Sequence, residues 1–292
     1  MRLRSVELEL PRRDAAVEFL WDTWGLIDAG RRGSTAFLRG TGDHPYLVAL
    51  TEAAAPRAIA ITFAGTEVEL GAIRNRFAAA GQSAPEIVAA FDEPGSPGGF
   101  FVSGAEGQRF RFVTDREPAA PIPDGDRPVQ LTHVVLNARD REACARFTTD
   151  ALGFSVSDRT RMMTFVRCNR KHHALAFAEA EIGSLHHIAF EMTSLDAVMR
   201  GVGRLRDLGL APAWGPGRHG PGNNVFAYFI TPFSAVVEYT AEVQEVDGSY
   251  RVGGPDDWKW PPNRIDHWGL STRDTERLSP AERTFRFRGE AA

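Results

Sequence analysis

The sequence predicts an α+β protein built from four modules, each with a strand, a helix and three further strands, paired into two domains. Three observations predict this fold. Apolar residues alternate in short runs, amphipathic segments ending at a glycine separate these runs, and the pattern recurs at an offset of 127 residues. The chain has 292 residues, 43% of them hydrophobic, which is enough for a large core and suggests two domains.

Each predicted half begins with a strand and a helix. The strand LRSVELEL precedes a helix over 12–26, and VQLTHVVLNA precedes a helix over 140–154. Setting Val6 against His133 gives the offset, with one small shift needed near the first helix. The same offset places PRAIAITFA on LHHIAFEM and GQRFRFVTD on SAVVEYTAE. The later strands of the two halves therefore correspond as well.

Within each half the pattern occurs twice, because further helices are predicted over 66–81 and 194–210. A stretch rich in proline and charge separates the halves, and a final segment with clusters of glycine, proline and tryptophan is expected to be irregular. The modules cover about 1–55, 56–118, 129–182 and 183–243. The predicted domains are an N-terminal domain over 1–118, a linker over 119–128, a C-terminal domain over 129–243 and a tail over 244–292.

Composition excludes several classes of function. The net charge of −4 provides no basic surface for nucleic acid. No apolar run approaches the roughly 20 residues of a membrane helix, and the first residues lack the apolar core of a signal peptide. Cys144 and Cys168 do not have a metal-type spacing, so they are expected to be reduced thiols. The sequence thus predicts a cytoplasmic protein that binds neither nucleic acid nor membrane.

Four of the eight histidines occur as adjacent pairs, in RKHHALAF and SLHHIAF. Alternate residues of a strand share a face, so only one member of the pair His186–His187 is expected to enter a given cavity. Matching HVVL with HIAF sets His133 against His187 and selects His187. Glu238 likewise interrupts an apolar strand in SAVVEYTAE. Two histidines and one carboxylate from three strands are the ligands of a facial triad, which is typical of Fe(II).

The N-terminal half serves as an internal control. At the same offset it carries Val6, Ala60 and Arg111, none of which is a useful ligand. Taken singly, His133 fits a hydrogen-bonded core histidine and Glu238 a surface carboxylate. Their matched positions in the repeat, and their joint absence from the first half, favour a metal site in the C-terminal domain.

The repeated unit resembles the vicinal-oxygen-chelate superfamily, which has the glyoxalase, bleomycin-resistance and extradiol dioxygenase fold. The length, the metal-free first half and local motifs are similar to the type I extradiol catechol dioxygenases. CNRKHHALAF resembles a family run whose second histidine is the acid–base residue, which implies His173 and leaves His172 facing away. GRH followed by a tyrosine and then by TP and VEY implies hydrogen-bonding roles for His219 and Tyr228. It also implies a ligand role for Glu238.

The resemblance implies an Fe(II)-dependent enzyme, with Mn(II) as the alternative metal and O2 as co-substrate. Such an enzyme inserts both oxygen atoms next to the diol of a substituted or bicyclic catechol, and a homo-oligomer is expected. Two alternatives stay open. A glyoxalase-like isomerase or epimerase would need a fourth ligand near Glu179 or Glu181, and a binding protein would need no metal. The role of Trp258, Trp260 and Trp268 in the tail is also open, between a lid over the site and docking onto the sheet.

Overall fold

A computed structural model describes residues 1–262 and 264–287 of the chain. The predicted α+β fold is confirmed, and the two halves repeat one strand–helix–strand plan. The first module contains β1 (Arg2–Leu10), α1 (Arg13–Glu18) with a π-helical turn (Phe19–Thr23), β2 (Ile27–Arg32), β3 (Thr35–Arg39) and β4 (Val48–Glu52). The second contains β5 (Arg57–Ala64), α2 (Glu67–Ala79), β6 (Gly98–Ser103) and β7 (Arg109–Thr114).

The second half follows the plan more regularly. Its two helices begin at the side-chain caps of Asp140 and Ser194, each worth about 1 kcal/mol. The third module contains β8 (Gln130–Ala138), α3 (Arg141–Asp150), β9 (Ser155–Arg159), β10 (Met163–Arg167) and β11 (Leu175–Glu179). The fourth contains β12 (Ser184–Glu191), α4 (Leu195–Asp207), β13 (Trp214–Arg218), β14 (Val225–Ile230) and β15 (Val236–Ala241).

The second module differs from the prediction of three strands after its helix. Where the first of these strands was expected, the structure has a single bridge between Val88 and Gly99. The segment between α2 and β6 is rich in proline, glycine and serine, and proline cannot donate a ladder hydrogen bond. A full strand is therefore disfavoured there.

The tail is more ordered than predicted. It contains a helix, α5 (Thr275–Ala281), and a short strand, β16 (Arg286–Phe287). Strand β16 lies between β5 and β12 and so joins the sheets of the two halves. The expectation of an irregular tail was wrong for these two elements, because they have no counterpart in the repeat from which a pattern could be recognised.

Strand pairing is the same in both halves and corrects the predicted alignment. Each half places its first strand between its fourth strand, which is parallel, and the first strand of the next module, which is antiparallel. Ser5 pairs with Thr62, and His133 pairs with Ala189, which lies 127 residues after Thr62. The counterpart of His133 is therefore Ser5 and not Val6. The single-residue shift follows the first helix, so the offset at β1 is 128.

The two halves share one hydrophobic core. The Trp24 indole from the first half stacks on the Tyr239 ring from the second, with centroids 3.8 Å apart. Phe63 meets Phe154 across the same boundary at 5.1 Å. The predicted linker carries no helix or strand, and its Ile122 amide donates to the carbonyl of Thr41 at 2.7 Å. These contacts hold the C-terminal half against the N-terminal half.

Two further predictions concern cysteines and membranes. Cys144 and Cys168 are both free. Burial raises the pKa of each thiol to about 12, so neither is a reactive thiolate at neutral pH. Within the described residues, no helix has the length and apolar character that crossing a bilayer would need.

Candidate metal centre

Three ligand atoms converge at the inner face of the C-terminal sheet. Strand β12 lies between β8 and β15, and its Ala189 pairs with His133 on one side and with Glu238 on the other. His187 lies two residues earlier on β12 and faces the same side. Because Ala189 has only a methyl group, the three longer side chains can meet above it. All three are buried, with exposed fractions of 3% or less.

The mutual distances fit a single metal ion. Oε2 of Glu238 lies 3.1 Å from Nε2 of His133 and 3.2 Å from Nε2 of His187, and the two nitrogens are 3.4 Å apart. Ligands on one face of an octahedron with bonds of about 2.1 Å are separated by about 3 Å. Among the described residues, a search for three or more histidine, cysteine or acidic side chains close enough to hold one metal ion finds these three. The structure thus brings the three predicted ligands together.

The charge state of these side chains suits a cation. Burial favours the neutral form of Glu238, but the neighbouring His133 and His187 lower the pKa of that carboxyl well below its usual range. Burial lowers the pKa of His187, which favours the neutral imidazole needed for coordination. Nδ1 of His187 contacts Nδ1 of His186 at 2.8 Å, and Asn224 donates to Oε1 of Glu238 at 3.4 Å. Such outer contacts orient metal ligands.

In the N-terminal half, the equivalent positions hold Ser5, Ala60 and Arg111. Arg111 is buried and paired with Glu93 at 2.7 Å and with Glu7 at 2.6 Å, and it donates to the Tyr46 hydroxyl at 2.6 Å. A guanidinium therefore lies where the second half presents a carboxylate. The first half offers no cation site at this position.

His186 departs from strict strand alternation. Strand β12 carries a β-bulge between Leu185 and His187, so that His186 has no ladder partner on β8. A bulge inserts one extra residue and changes the direction of side chains. Both His186 and His187 consequently line the same cavity, and the prediction that only one could enter it was wrong. Nε2 of His186 also lies 3.4 Å from Glu282 of the tail.

His173 borders the metal centre from the loop that leads into β11. Its ring centroid lies 4.3 Å from that of His133, and the side chain is 3% exposed. Burial, with the neighbouring histidines, lowers the pKa of His173 well below the usual value, so the imidazole is neutral at pH 7. His172 faces away from the cavity, whose lining includes His173 but not His172. His172 is buried behind His173, with Nδ1 atoms 3.0 Å apart.

His219 and Tyr228 form a second polar pair beside Glu238. Tyr228 on β14 pairs in the ladder with Glu238 on β15, and its hydroxyl lies 2.9 Å from Nε2 of His219 in the β13–β14 turn. Burial lowers the pKa of His219 to about 3 and raises the pKa of Tyr228 well above its usual value. Both side chains are therefore neutral, and both can hydrogen-bond a bound oxygen atom.

Five of the six predicted site residues line one cavity of about 590 Å³, and the sixth, Glu238, lies behind this wall against His133 and His187. A cavity of this size accommodates a small aromatic molecule. Its remaining walls include Trp258 and Trp260, which the sequence singles out as candidates for a lid, and other residues that the sequence does not identify. They come from Trp214 on β13, from the β9–β10 hairpin and from the tail. Wall residues from these regions include Met162, Met163, Phe165, Trp258, Trp260, Ile265 and Arg273.

Comparison with known proteins places this geometry in a family. The family model of the Glyoxalase/Bleomycin resistance protein/Dioxygenase superfamily matches residues 130–239, which include all three candidate ligands. A solved structure, the Mn(II)-bound glyoxalase from Novosphingobium aromaticivorans, is 35% identical, with a TM-score of 0.85 over 95% of this chain and 93% of that one.

Curated relatives are named for ring-cleaving dioxygenases. Metapyrocatechase 2 of Cupriavidus necator is 27% identical over 82% of this chain and 80% of its own length. Biphenyl-2,3-diol 1,2-dioxygenase of Metapseudomonas furukawaii is 34% identical over 42% of this chain and 43% of its own. The full-length structural match and the family model over the metal centre agree, and the chain belongs to the glyoxalase, bleomycin resistance protein and dioxygenase superfamily.

Proposed function

We propose that this protein is an Fe(II)-dependent extradiol dioxygenase, which opens a catechol ring next to the diol and inserts both atoms of O2. One observation carries the proposal. Three protein ligands, His133, His187 and Glu238, lie at one end of a largely apolar cavity, with His173 and the pair His219–Tyr228 beside them. The relatives named metapyrocatechase and biphenyl-2,3-diol dioxygenase support this reaction.

The donor set fits the proposed metal and leaves room for substrate. The two imidazoles and the carboxylate would hold the ion, and three protein ligands would leave further coordination positions for substrate and O2. When bound, Fe(II) or Mn(II) would acidify a catechol hydroxyl and hold it as an anion. The chain itself contributes only one negative charge to the centre, so an anionic substrate is not repelled.

His173 is the proposed general base. Its imidazole borders the ligand His133, is neutral at pH 7, and has no hydrogen-bond partner on Nε2 among the described residues. It can accept the proton that a catechol hydroxyl loses and later return it, an effect typically worth 10²- to 10⁴-fold in rate. His219 and Tyr228 are proposed to orient the substrate oxygen atoms. Nε2 of His219 contacts the Tyr228 hydroxyl and lies 3.9 Å from Oε1 of Glu238, so the pair is close to the proposed metal ligands.

The cavity walls would exclude bulk water from the reacting atoms. Trp214 stacks on Tyr228 with centroids 5.2 Å apart, and the tail places Trp258 and Trp260 along the cavity. Gly220 lies against the Trp260 ring, since an added Cβ would be 2.2 Å from it. The volume of about 590 Å³ accommodates substituted and bicyclic catechols.

A metal-dependent isomerase or epimerase is the second candidate, favoured by the 35% identity to an Mn(II)-bound glyoxalase. The ligands at this centre do not support it, because such an enzyme would need a fourth protein ligand. Glu179, one of the two residues expected to supply a fourth ligand, is 54% exposed and paired with Arg141. Glu181, the other, is exposed. Neither belongs to the cluster that could hold the ion.

Oxygen consumption tests the proposal. Protein reconstituted anaerobically with Fe(II) is mixed with a panel of monocyclic and bicyclic catechols, and O2 uptake is recorded with the absorbance of a ring-opened product. We expect uptake in a 1:1 ratio to the catechol consumed. Uptake by none of the catechols, from protein shown to contain one iron per chain, would contradict the proposal and favour the isomerase. Sedimentation of the same sample tests whether the protein is a homo-oligomer, as the family resemblance implies.

A further inference from the structure

Behind the candidate general base lies a buried polar chain that the proposed function does not yet use. His172 and Asp158 are both fully buried. Nε2 of His172 lies 2.7 Å from Oδ2 of Asp158, and Nδ1 of His172 lies 3.0 Å from Nδ1 of His173. A line of three side chains thus runs from the cavity wall to a buried carboxylate.

Three hydrogen-bond donors contact the Asp158 carboxylate. Besides His172, Oδ2 accepts from the Tyr250 hydroxyl at 3.1 Å, and Oδ1 accepts from the Gly253 amide at 2.7 Å. The amide of Arg159 in turn donates to the Gly253 carbonyl at 2.8 Å. The two oxygens of Asp158 thus face hydrogen-bond donors, which suits a carboxylate that only accepts. Two of the donors come from the tail, which therefore contributes to the environment of the loop carrying His173.

The chain of contacts determines where the protons lie. An ionised carboxylate only accepts, so Nε2 of His172 carries a hydrogen. A neutral His172 then has a lone pair on Nδ1, which can only accept from Nδ1 of His173. A neutral His173 with its hydrogen on Nδ1 has its lone pair on Nε2, the nitrogen on the opposite side of the ring from His172.

We propose that Asp158 and His172 are positioning residues that hold the proton of His173 on Nδ1 and keep its Nε2 lone pair free in the cavity. The inference rests on the proposed role of His173 as the general base. A histidine in the other tautomer would present N–H to the substrate and could not accept its proton. The same logic applies where a buried aspartate fixes the tautomer of a catalytic histidine.

The substitution Asp158→Asn reverses this pattern in a defined way. The Gly253 amide needs an acceptor, so the Asn oxygen remains there and the Asn NH2 faces Nε2 of His172. His172 must then accept on Nε2 and carry its hydrogen on Nδ1. Nδ1 of His173 becomes the acceptor, and its hydrogen moves to Nε2. The ring stays in place while the reactive nitrogen loses its lone pair.

Two measurements test the proposal. The first is the ¹⁵N NMR spectrum of histidine-labelled, metal-free protein, in which pyridine-type and pyrrole-type nitrogens are distinguished and His173 is assigned by comparison with His173→Gln. We expect the wild-type His173 to carry its hydrogen on Nδ1 and the Asp158→Asn protein to carry it on Nε2. This readout requires no activity. A wild-type His173 with its hydrogen on Nε2 would overturn the proposal, even if the variant failed to fold.

The second measurement is steady-state turnover of the iron-loaded variants. Asp158→Asn should lower kcat by about 10²- to 10⁴-fold, with KM changed less than about threefold and iron content unchanged. Asp257→Asn is the matched control, because Asp257 is an exposed aspartate of the same tail paired with Arg251 at 2.9 Å. It should retain wild-type kcat. Wild-type kcat in a folded, iron-loaded Asp158→Asn protein would refute the inference.

The two outcomes separate this inference from the proposed function. If the wild-type protein consumes oxygen with catechols but Asp158→Asn is equally active, only the positioning role fails. If no catechol is turned over by any iron-loaded protein, the dioxygenase assignment fails, and the NMR spectrum alone decides the tautomer.

Discussion

Arg111 and Glu238 occupy equivalent positions in the two halves. Arg111 pairs in its ladder with Thr62, and Glu238 pairs with Ala189, which lies 127 residues after Thr62. One half places a buried cation where the other places a buried carboxylate. The same scaffold therefore holds an internal ion-pair cluster on one side and a candidate cation site on the other, and each can be tested separately.

Arg111→Met is expected to destabilise the fold without affecting metal content. The change leaves Glu93 and Glu7 without the guanidinium that lies 2.7 and 2.6 Å from them. Removing one partner of a buried pair costs about 3–5 kcal/mol. Urea unfolding measures this loss. Arg32→Met is the control, because Arg32 and its partner Asp92 are exposed, and it should cost less than about 1 kcal/mol.

His187→Ala and His186→Ala separate a ligand from its neighbour. We expect His187→Ala to lose both metal and activity, because only two ligands remain. His186→Ala keeps all three ligand atoms but loses the 2.8 Å contact to Nδ1 of His187. It should bind one metal ion with about 10- to 100-fold lower affinity. Metal analysis after dialysis checks both, and loss of metal from the His186 variant alone would assign the ligand role to the other histidine.

His173→Ala should retain iron and catechol binding but turn over about 10²- to 10⁴-fold more slowly, since a general base is lost and no ligand is. Stopped-flow binding of catechol to the anaerobic iron protein, followed by turnover in air, measures the two properties separately. A variant with the wild-type rate would remove His173 from the mechanism.

Tyr228→Phe removes a hydroxyl that lies 2.9 Å from Nε2 of His219. We expect kcat to fall by about tenfold or more, with unfolding stability within about 1.5 kcal/mol of wild type. Tyr239→Phe is the matched control on the next strand. Its hydroxyl donates to the Trp24 carbonyl at the boundary between the halves, so this change should lower stability and leave kcat intact. Equal kcat values for the two variants would argue against a role for Tyr228.

The repeat explains how much of this centre was predictable. Comparing the two halves singles out His187 and Glu238, because Ala60 and Arg111 stand at the same register. It could not reveal the bulge at His186, since one extra residue in a strand leaves the apolar alternation almost unchanged. Asp158 was also missed. It lies on β9, which pairs with β10, and its carboxylate contacts His172 in the loop that follows β10.

The tail illustrates a second limit. Trp258 and Trp260 line the cavity, and β16 joins the two sheets, but this segment has no second copy in the chain. Its strand has two residues, too few for a period-2 pattern to be recognised. Its position is determined by long-range contacts, such as the amides of Gly253 and Asp274 bound to Asp158 and Ala213.

Unfolding stability is expected to fall below pH 6.5. Burial lowers the pKa of His44 from 6.5 to about 4, and the side chain is 2% exposed. Above pH 6.5 this histidine is neutral in both the folded and the unfolded chain, so it has no effect on the pH dependence. Between pH 6.5 and about 4 the unfolded chain binds one more proton. Stability therefore decreases as the pH falls, by about 1.4 kcal/mol per unit.

His44→Gln tests this directly, because glutamine does not titrate. Urea unfolding of metal-free protein at a series of pH values from 8 to 4 gives the slope of stability against pH. The variant should lack about 1.4 kcal/mol per pH unit of the wild-type slope, while other buried histidines such as His186 still contribute theirs. Identical slopes in the two proteins would mean that His44 is protonated as readily in the folded chain as in the unfolded one.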